Sequence, residues 1–225
     1  MDVAGRSLSE LRARAAEEFA AAEQEEFLAA LRRDPRRGAR ELAERLERRR
    51  NAAAAEVERL EGLFARRARL FAEGVRCVAG VDEVGMGPLA GPVVAVAVIL
   101  REHVDLTGLK DSKQMTRGAR EKLALRIRDQ AIACSAGKVQ PAEIVAPQTA
   151  IVGGDATDGS IAAASVVAKV HRDAIMRHLA ERYPGYGFEQ HMGYGTESHL
   201  AALQRLGPSP VHRRSFSPVA RAERR

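Results

Sequence analysis

The sequence predicts an α/β domain preceded by a helical segment. Three features carry that reading. The first 75 residues are dominated by Ala, Arg, Glu and Leu, all good helix formers. From Arg76 onward short apolar runs appear, and the longest, "PVVAVAVIL" (Pro92 to Leu100), is rich in valine. A later stretch, "DGSIAAASVVAKVHRDAIMRHLAERY", reads as one helix whose Ala162, Ala163, Ala164 and Ser165 form a small-residue face able to approach a sheet closely.

The elements follow in order. Leu8, Leu11, Ala15 and Phe19 recur at helical spacing, and Phe27 and Leu31 repeat the pattern. "RRDPRRG" (Arg32 to Gly38) breaks it, because Asp34 precedes a proline and resists the helical region. A longer helix is expected from about Ala39 to Glu73, with Leu42, Leu46, Val57, Leu60, Phe64 and Leu70 along one side and Gly74 as its stop. This segment reads either as a solvated appendage or as a basic arm through Arg48, Arg49, Arg50, Arg66 and Arg67.

"RCVAGVDEV" reads as a short strand, and Pro92 to Leu100 as a strand buried on both faces. "MTRGAREKLALRIRDQA" reads as a helix capped by Thr116, and "IACSAGKV" as a further strand. "TESHLAALQRLG" reads as the final helix, between Thr196 and Gly207, with an irregular basic tail after it.

Thirty-six Lys and Arg against 30 Asp and Glu leave a net charge of +6, which favours a polyanionic partner such as nucleic acid. The N-terminus has no apolar core of a secretory signal, and no apolar run approaches bilayer length. Cys77 and Cys134 lack metal-ligand spacing and read as two free, buried thiols in a reducing compartment. A soluble, cytoplasmic protein without membrane contact is expected, and a monomer.

The chemistry concentrates at "VDEVGMGPLAGP" (Val81 to Pro92). Asp82 and Glu83 would point to opposite faces of a regular strand, but at a strand end both could reach one cation. Two carboxylates in a poorly solvated cleft repel, and a hard divalent ion relieves the repulsion. Oxygen ligands suit Mg²⁺ or Mn²⁺. The following Gly85-Met86-Gly87-Pro88 lets a ligand approach backbone N–H groups.

Five blocks together resemble bacterial ribonuclease HII, in that order: "AGVDEVGMGPLAGPVVAVAVIL", "LKDSKQMTRGAREKL", "AIVGGDATDGSIAAASVVAKVHRD", "YPGYGFEQHMGYGTESHLAAL" and "GPSPVHRRSF". The resemblance covers most of Val75 to Val219. It implies an RNase H-like fold, a mixed central sheet flanked by helices, in residues 76–225, with residues 1–75 a helical N-terminal extension. It implies hydrolysis of the RNA strand of RNA–DNA hybrids and incision 5′ to ribonucleotides embedded in duplex DNA. Four carboxylates holding two divalent ions are the family's site. Asp82, Glu83 and Asp155 match as catalytic and metal-holding residues. Gly85, Met86 and Gly87 match the loop that reads the ribose 2′-hydroxyl through backbone groups. Tyr194 matches the tyrosine that stacks on the sugar, and Lys113 a phosphate neighbour.

Three departures accompany the resemblance. Met86 replaces a loop arginine and Met192 a lysine, so affinity should depend less on salt. Glu143-Ile144 is followed at once by "VAPQTAIVGGDA", so a helix, a strand and the third carboxylate expected near residues 144–146 are absent. Asp158 reads either as a compensating acid or as the cap of the helix that begins near Gly159. Two functions follow: a metal-dependent endoribonuclease, or a family member that binds hybrid duplex but hydrolyses it poorly. His171, His178, His191, His199 and His212 read as hydrogen-bonding or surface residues, and Asp173 as part of an ion pair. Arg213 and Arg214 read as phosphate contacts or as a solvated or structural tail.

Overall fold

The computed structural model describes residue 3 and residues 5–17, 20–138 and 146–223. Phe19, Glu143 and Ile144 lie outside the described residues. The chain forms two compact units, Met1–Arg59 and Leu60–Arg225.

The first unit is helical: α1 (Leu8–Arg14), α2 (Ala21–Arg33) and the first part of α3 (Arg37–Ala72). Ser7 caps α1 through a capping box with Glu10. Phe27, Leu31, Leu42 and Ala43 are buried here with Leu11, so these helices have a core of their own rather than forming a solvated appendage. Asp34 ends α2 in an extended conformation, as the following proline requires. Its carboxylate accepts bonds from the Arg36 backbone and guanidinium, which holds its pKa down at about 2. Val57, placed on the apolar side by spacing, is exposed.

In the second unit the remainder of α3 contributes Leu60, Leu63 and Phe64 to the main core. The basic-arm reading of Arg66 and Arg67 gives way here. Arg67 is buried, donating to the carbonyls of Arg101 and Glu102 at 2.9 and 2.8 Å, and Arg66 lies 3.9 Å from Asp158.

The sheet contains β1 (Ala79–Val84), β2 (Val94–Leu100) and β3 (Ala131–Lys138), in the order β1-β2-β3. Both pairings are antiparallel. The fold class is α/β, but among the described residues the sheet is antiparallel throughout.

Along β2, Val94, Val96, Val98 and Leu100 are buried while Ala95, Ala97 and Ile99 are half-buried. The strand is thus fully covered on one face only, which corrects the two-sided reading. The covering helix is α6 (Gly159–Arg182), with α4 (Arg117–Gln130) beside it. Thr116 caps α4 as expected. Asp158 caps α6 by accepting from Ser160 and Ile161, which settles its role in favour of the cap. Beyond α6 come α7 (Phe188–His191), α8 (Glu197–Leu206) and α9 (Ser217–Glu223). The last corrects the irregular tail: Val219 is buried against Leu89 and Leu203.

Both cysteines are exposed, contrary to expectation. Cys77 precedes β1, and Cys134 lies on β3, whose residues from Ile132 to Gly137 are all exposed because the helices cover chiefly β1 and β2.

Candidate active site

Asp82 lies within β1, opposite Val96, on the face covered by α6. The close approach of α6 is made possible by Gly80, two residues earlier. A Cβ there would lie 2.0 Å from the Ser160 backbone. Glu83 lies on the opposite, exposed face of β1. The two acids therefore do not meet at a strand end, because pairing with β2 continues to Val84.

Burial raises the pKa of Asp82, and the charges of Glu83 and Asp155 push it further up. A hydrogen bond from the Ser165 side chain and one from the Glu83 backbone oppose this. Ser165 and Ser112 are buried, with their hydroxyl oxygens 3.0 Å apart. An ionised carboxylate can only accept. The Ser165 hydroxyl therefore donates to Asp82, and that of Ser112 to Ser165. Sequence reading assigned Ser165 to packing alone and passed over Ser112. The hint available was a hydroxyl in an otherwise all-alanine helical face.

Asp155 comes from α5 (Gly154–Thr157), after the left-handed Gly153. Its Oδ2 accepts from Lys113 Nζ at 2.9 Å. Lys113 sits in the short 3-10 turn Ser112–Gln114. Its pKa is raised by that bond and by the charge of Asp155, then by Asp111 and Asp82. Asp82, Asp155, Lys113 and Ser165 thus converge from β1, α5, the 3-10 turn and α6, with Glu83 acting across the strand.

The donor set is oxygen only, and the upward push on Asp82 comes first from burial and then from the charges of Glu83 and Asp155. Both features fit a hard divalent cation, and the Lys113 ammonium already supplies one positive charge at this place. Among the described residues, no three His, Cys, Asp or Glu side chains converge as a metal-holding group.

The glycine loop follows β1. Gly85 adopts φ +96, a conformation that side chains resist, and a Cβ there would also meet Arg172 Nε at 2.3 Å. Met86 is 65% exposed. Arg172 is fully buried and donates to the carbonyls of Pro92, Ala90 and Met192 at 3.0, 3.1 and 2.9 Å. Its guanidinium carbon lies 5.9 Å from the centre of the Tyr194 ring. The Leu89 amide donates to Gly193 at 2.8 Å, so the glycine loop and the Tyr194 turn are joined. Met192 precedes that turn with φ +50, a left-handed conformation rare for a side-chain-bearing residue.

Three histidines hold the other side of the Tyr194 turn. His212 Nδ1 accepts from the Ser209 amide at 3.0 Å, so its proton sits on Nε2. That Nε2 lies 3.1 Å from His199 Nε2, which must accept, and His199 Nδ1 then donates to the Tyr194 carbonyl at 2.9 Å. His191 Nδ1 accepts from the Gly193 amide, and its Nε2 donates to the Tyr186 carbonyl at 2.8 Å. The hydrogen-bonding role expected of these three residues is what the structure shows. Burial, reinforced by His199, lowers the pKa of His212 from 6.5 to about 4.

A depressed histidine pKa contributes stability that is present above the unfolded value and lost as pH falls through the folded one. Urea unfolding should therefore show stability falling by about 2–3 kcal/mol between pH 6.5 and 4. His212→Gln should flatten that slope. An unchanged slope would mean that His212 is not buried in neutral form.

Asp173 makes an ion pair with Lys169 and lies 3.9 Å from Arg120. Arg213 donates to the carbonyls of Gly85 and Met86, so of the expected roles it takes the structural one rather than that of a solvated tail.

The family model described as Ribonuclease HII matches residues 79–151 and 136–219, and the one described as Ribonuclease HII N-terminal domain matches residues 12–65. The chain belongs to the ribonuclease HII family. The Ribonuclease HII of Pelotomaculum thermopropionicum is 42% identical over 256 residues, covering 96% of this chain and 96% of that relative. That of an Anaeromyxobacter species is 42% identical over 258 residues, covering 98% of this chain and 82% of the relative. Both alignments are longer than the 225 residues of this chain, so each relative has positions that this chain lacks. The two family matches overlap at residues 136–151. Among solved structures, the ribonuclease H2 from Pyrococcus horikoshii OT3 is similar at TM-score 0.52 and 24% identity, covering 66% of this chain and 98% of that one. That likeness is one of fold. Among the described residues, no helix is long and apolar enough to cross a membrane.

Proposed function

We propose that this chain is a cytoplasmic, metal-dependent endonuclease that hydrolyses the RNA strand of RNA–DNA hybrids and incises 5′ of ribonucleotides embedded in duplex DNA. Residues 76–225 carry the chemistry, and residues 1–75 are the helical extension. One observation carries the reading: Asp155, from beyond the shortened segment, reaches the charge field of Asp82 while bonded to Lys113.

Asp82, Glu83 and Asp155 would hold divalent ions, Mg²⁺ or Mn²⁺, two of them in the family's scheme. When bound, such ions activate the attacking water and neutralise charge on the departing 3′-oxygen. The chain's own residues do the rest. Ser165 holds the Asp82 carboxylate in place. Lys113, kept protonated by Asp155, neutralises a substrate phosphate. The backbone of Gly85, Met86 and Gly87 reads the 2′-hydroxyl, the group that distinguishes RNA from DNA. Tyr194, 42% exposed with Arg172 beneath it, stacks on the sugar beyond.

The test is incision of a duplex with one ribonucleotide, in Mg²⁺ or Mn²⁺, beside an Asp82→Asn control. Incision 5′ of the ribonucleotide, well above the control, is expected. None above the control, from protein that melts cooperatively, would remove the proposal. A second reading is a hybrid-binding protein with little turnover. It is favoured by alignments longer than the chain and by the lack of a three-acid cluster among the described residues. Tight binding of the ribonucleotide duplex without incision would select it.

A further inference from the structure

The glycine loop is held from beneath by one side chain. Arg213 Nη2 donates to the Gly85 carbonyl at 2.6 Å and Nη1 to the Met86 carbonyl at 2.9 Å. Its Nε and Nη2 also donate to the Gly91 carbonyl, at 3.0 and 2.7 Å. The backbone brings Arg213 there: its amide donates to Leu89 and the Gly91 amide donates to Val211, each beside the Ala90–His212 bridge. Four of the five N–H donors of the guanidinium are thus committed to carbonyl oxygens. Little of the group remains for a phosphate.

Peptide units are planar and trans, so each N–H points away from the carbonyl of its own unit. Fixing the Gly85 and Met86 carbonyls on Arg213 turns the amide N–H groups of Met86 and Gly87 the other way. Neither amide donates to another group among the described residues. Both residues are exposed, and a Cβ at Gly87 would meet no atom within 4 Å.

We propose that Arg213 is a positioning residue that aims the Met86 and Gly87 amides at the ribose 2′-oxygen, and so sets the preference for ribose over deoxyribose. This rests on the loop being the ribose reader. It sharpens the structural role expected from sequence, in place of a phosphate contact or a solvated tail. A planar fork is needed, because the point charge of a lysine cannot reach the carbonyls of Gly85, Met86 and Gly91 together.

The experiment uses the full chain with Asp82→Asn as parent, so that binding is read without turnover. Fluorescence anisotropy compares a duplex containing one ribonucleotide with the same all-deoxy duplex, over a salt series. Arg213→Lys and Arg213→Gln are each expected to lower the ribo-to-deoxy affinity ratio about tenfold, the worth of one well-aligned hydrogen bond. Arg213→Lys should leave the salt slope unchanged. If the ratio holds while both duplexes weaken and Arg213→Gln alone reduces the slope by about one, Arg213 is a phosphate contact and the proposal is overturned. If the parent itself shows no preference, the loop reading falls and this proposal with it. Should neither variant melt cooperatively, nuclear magnetic resonance of the Arg213 Nε–H in the parent decides. Slow exchange, with a shift on adding the ribo duplex alone, supports the role, and equal shifts with both duplexes overturn it.

Discussion

Asp82→Asn should abolish incision, by more than about 100-fold, while raising the melting temperature by a few degrees at neutral pH. The two effects share one cause. Asp82 is half-buried beneath α6, and burial is the main reason its pKa is raised, with Glu83 and Asp155 adding repulsion. A carboxyl whose folded pKa lies above its unfolded value favours the native state in its protonated form. Its stabilising effect is complete below the unfolded pKa of 3.8 and is lost as pH rises through the folded value. At neutral pH the ionised group therefore strains the fold. Asparagine removes the charge and keeps an oxygen for the Ser165 hydroxyl. The gain should vanish below about pH 3.8, and added Mg²⁺ should raise the melting temperature of the parent more than that of the variant. Thermal melts across pH, with and without Mg²⁺, read all of this. A variant that still incises, or that melts lower at neutral pH, would contradict the placement of Asp82.

Gly80→Ala should be among the most damaging single-methyl changes in the second unit. The new Cβ would lie 2.0 Å from both the carbonyl carbon and oxygen of Ser160, and 2.6 Å from the Ile161 amide nitrogen. These are backbone atoms in the first turn of α6 and cannot rotate aside. Overpacking commonly costs about 1–3 kcal/mol, and a clash with backbone belongs at or above the upper end. At about 2–4 °C per kcal/mol, the melting temperature should fall by roughly 6–12 °C. Because α6 carries Ser165, forcing it away from β1 should also loosen the hydroxyl bond to Asp82, so turnover should fall even well below the new melting temperature. Gly87→Ala is the matched control, since its Cβ meets no atom within 4 Å and its melting temperature should hardly move. A melt of Gly80→Ala indistinguishable from the parent would show that β1 and α6 are not in close contact.

Much of the second unit was legible in the residues. The Thr116 and Thr196 caps, the Asp158 cap and the valine run marked elements that the structure contains. These signals are local, because a cap or an alternating strand is made by neighbours in sequence. The misreadings concerned what lies across space. Cys134 sits on a strand that the helices scarcely cover, and Arg67 turned inward to meet two carbonyls thirty-odd positions away.

The site divides along the same line. From the sequence alone came the acids and the glycine loop, together with the family resemblance and the break after Ile144, for these are matters of residue type and order. Only the tertiary structure decided that Lys113 pairs with Asp155, that Ser165 holds Asp82, that Glu83 faces the other way and that Arg213 grips the loop. Those pairings depend on how α6 crosses the sheet and how the tail returns to Leu89. Such long-range geometry arises from burying side chains and satisfying buried polar groups over the whole unit at once, so no short stretch of sequence contains it.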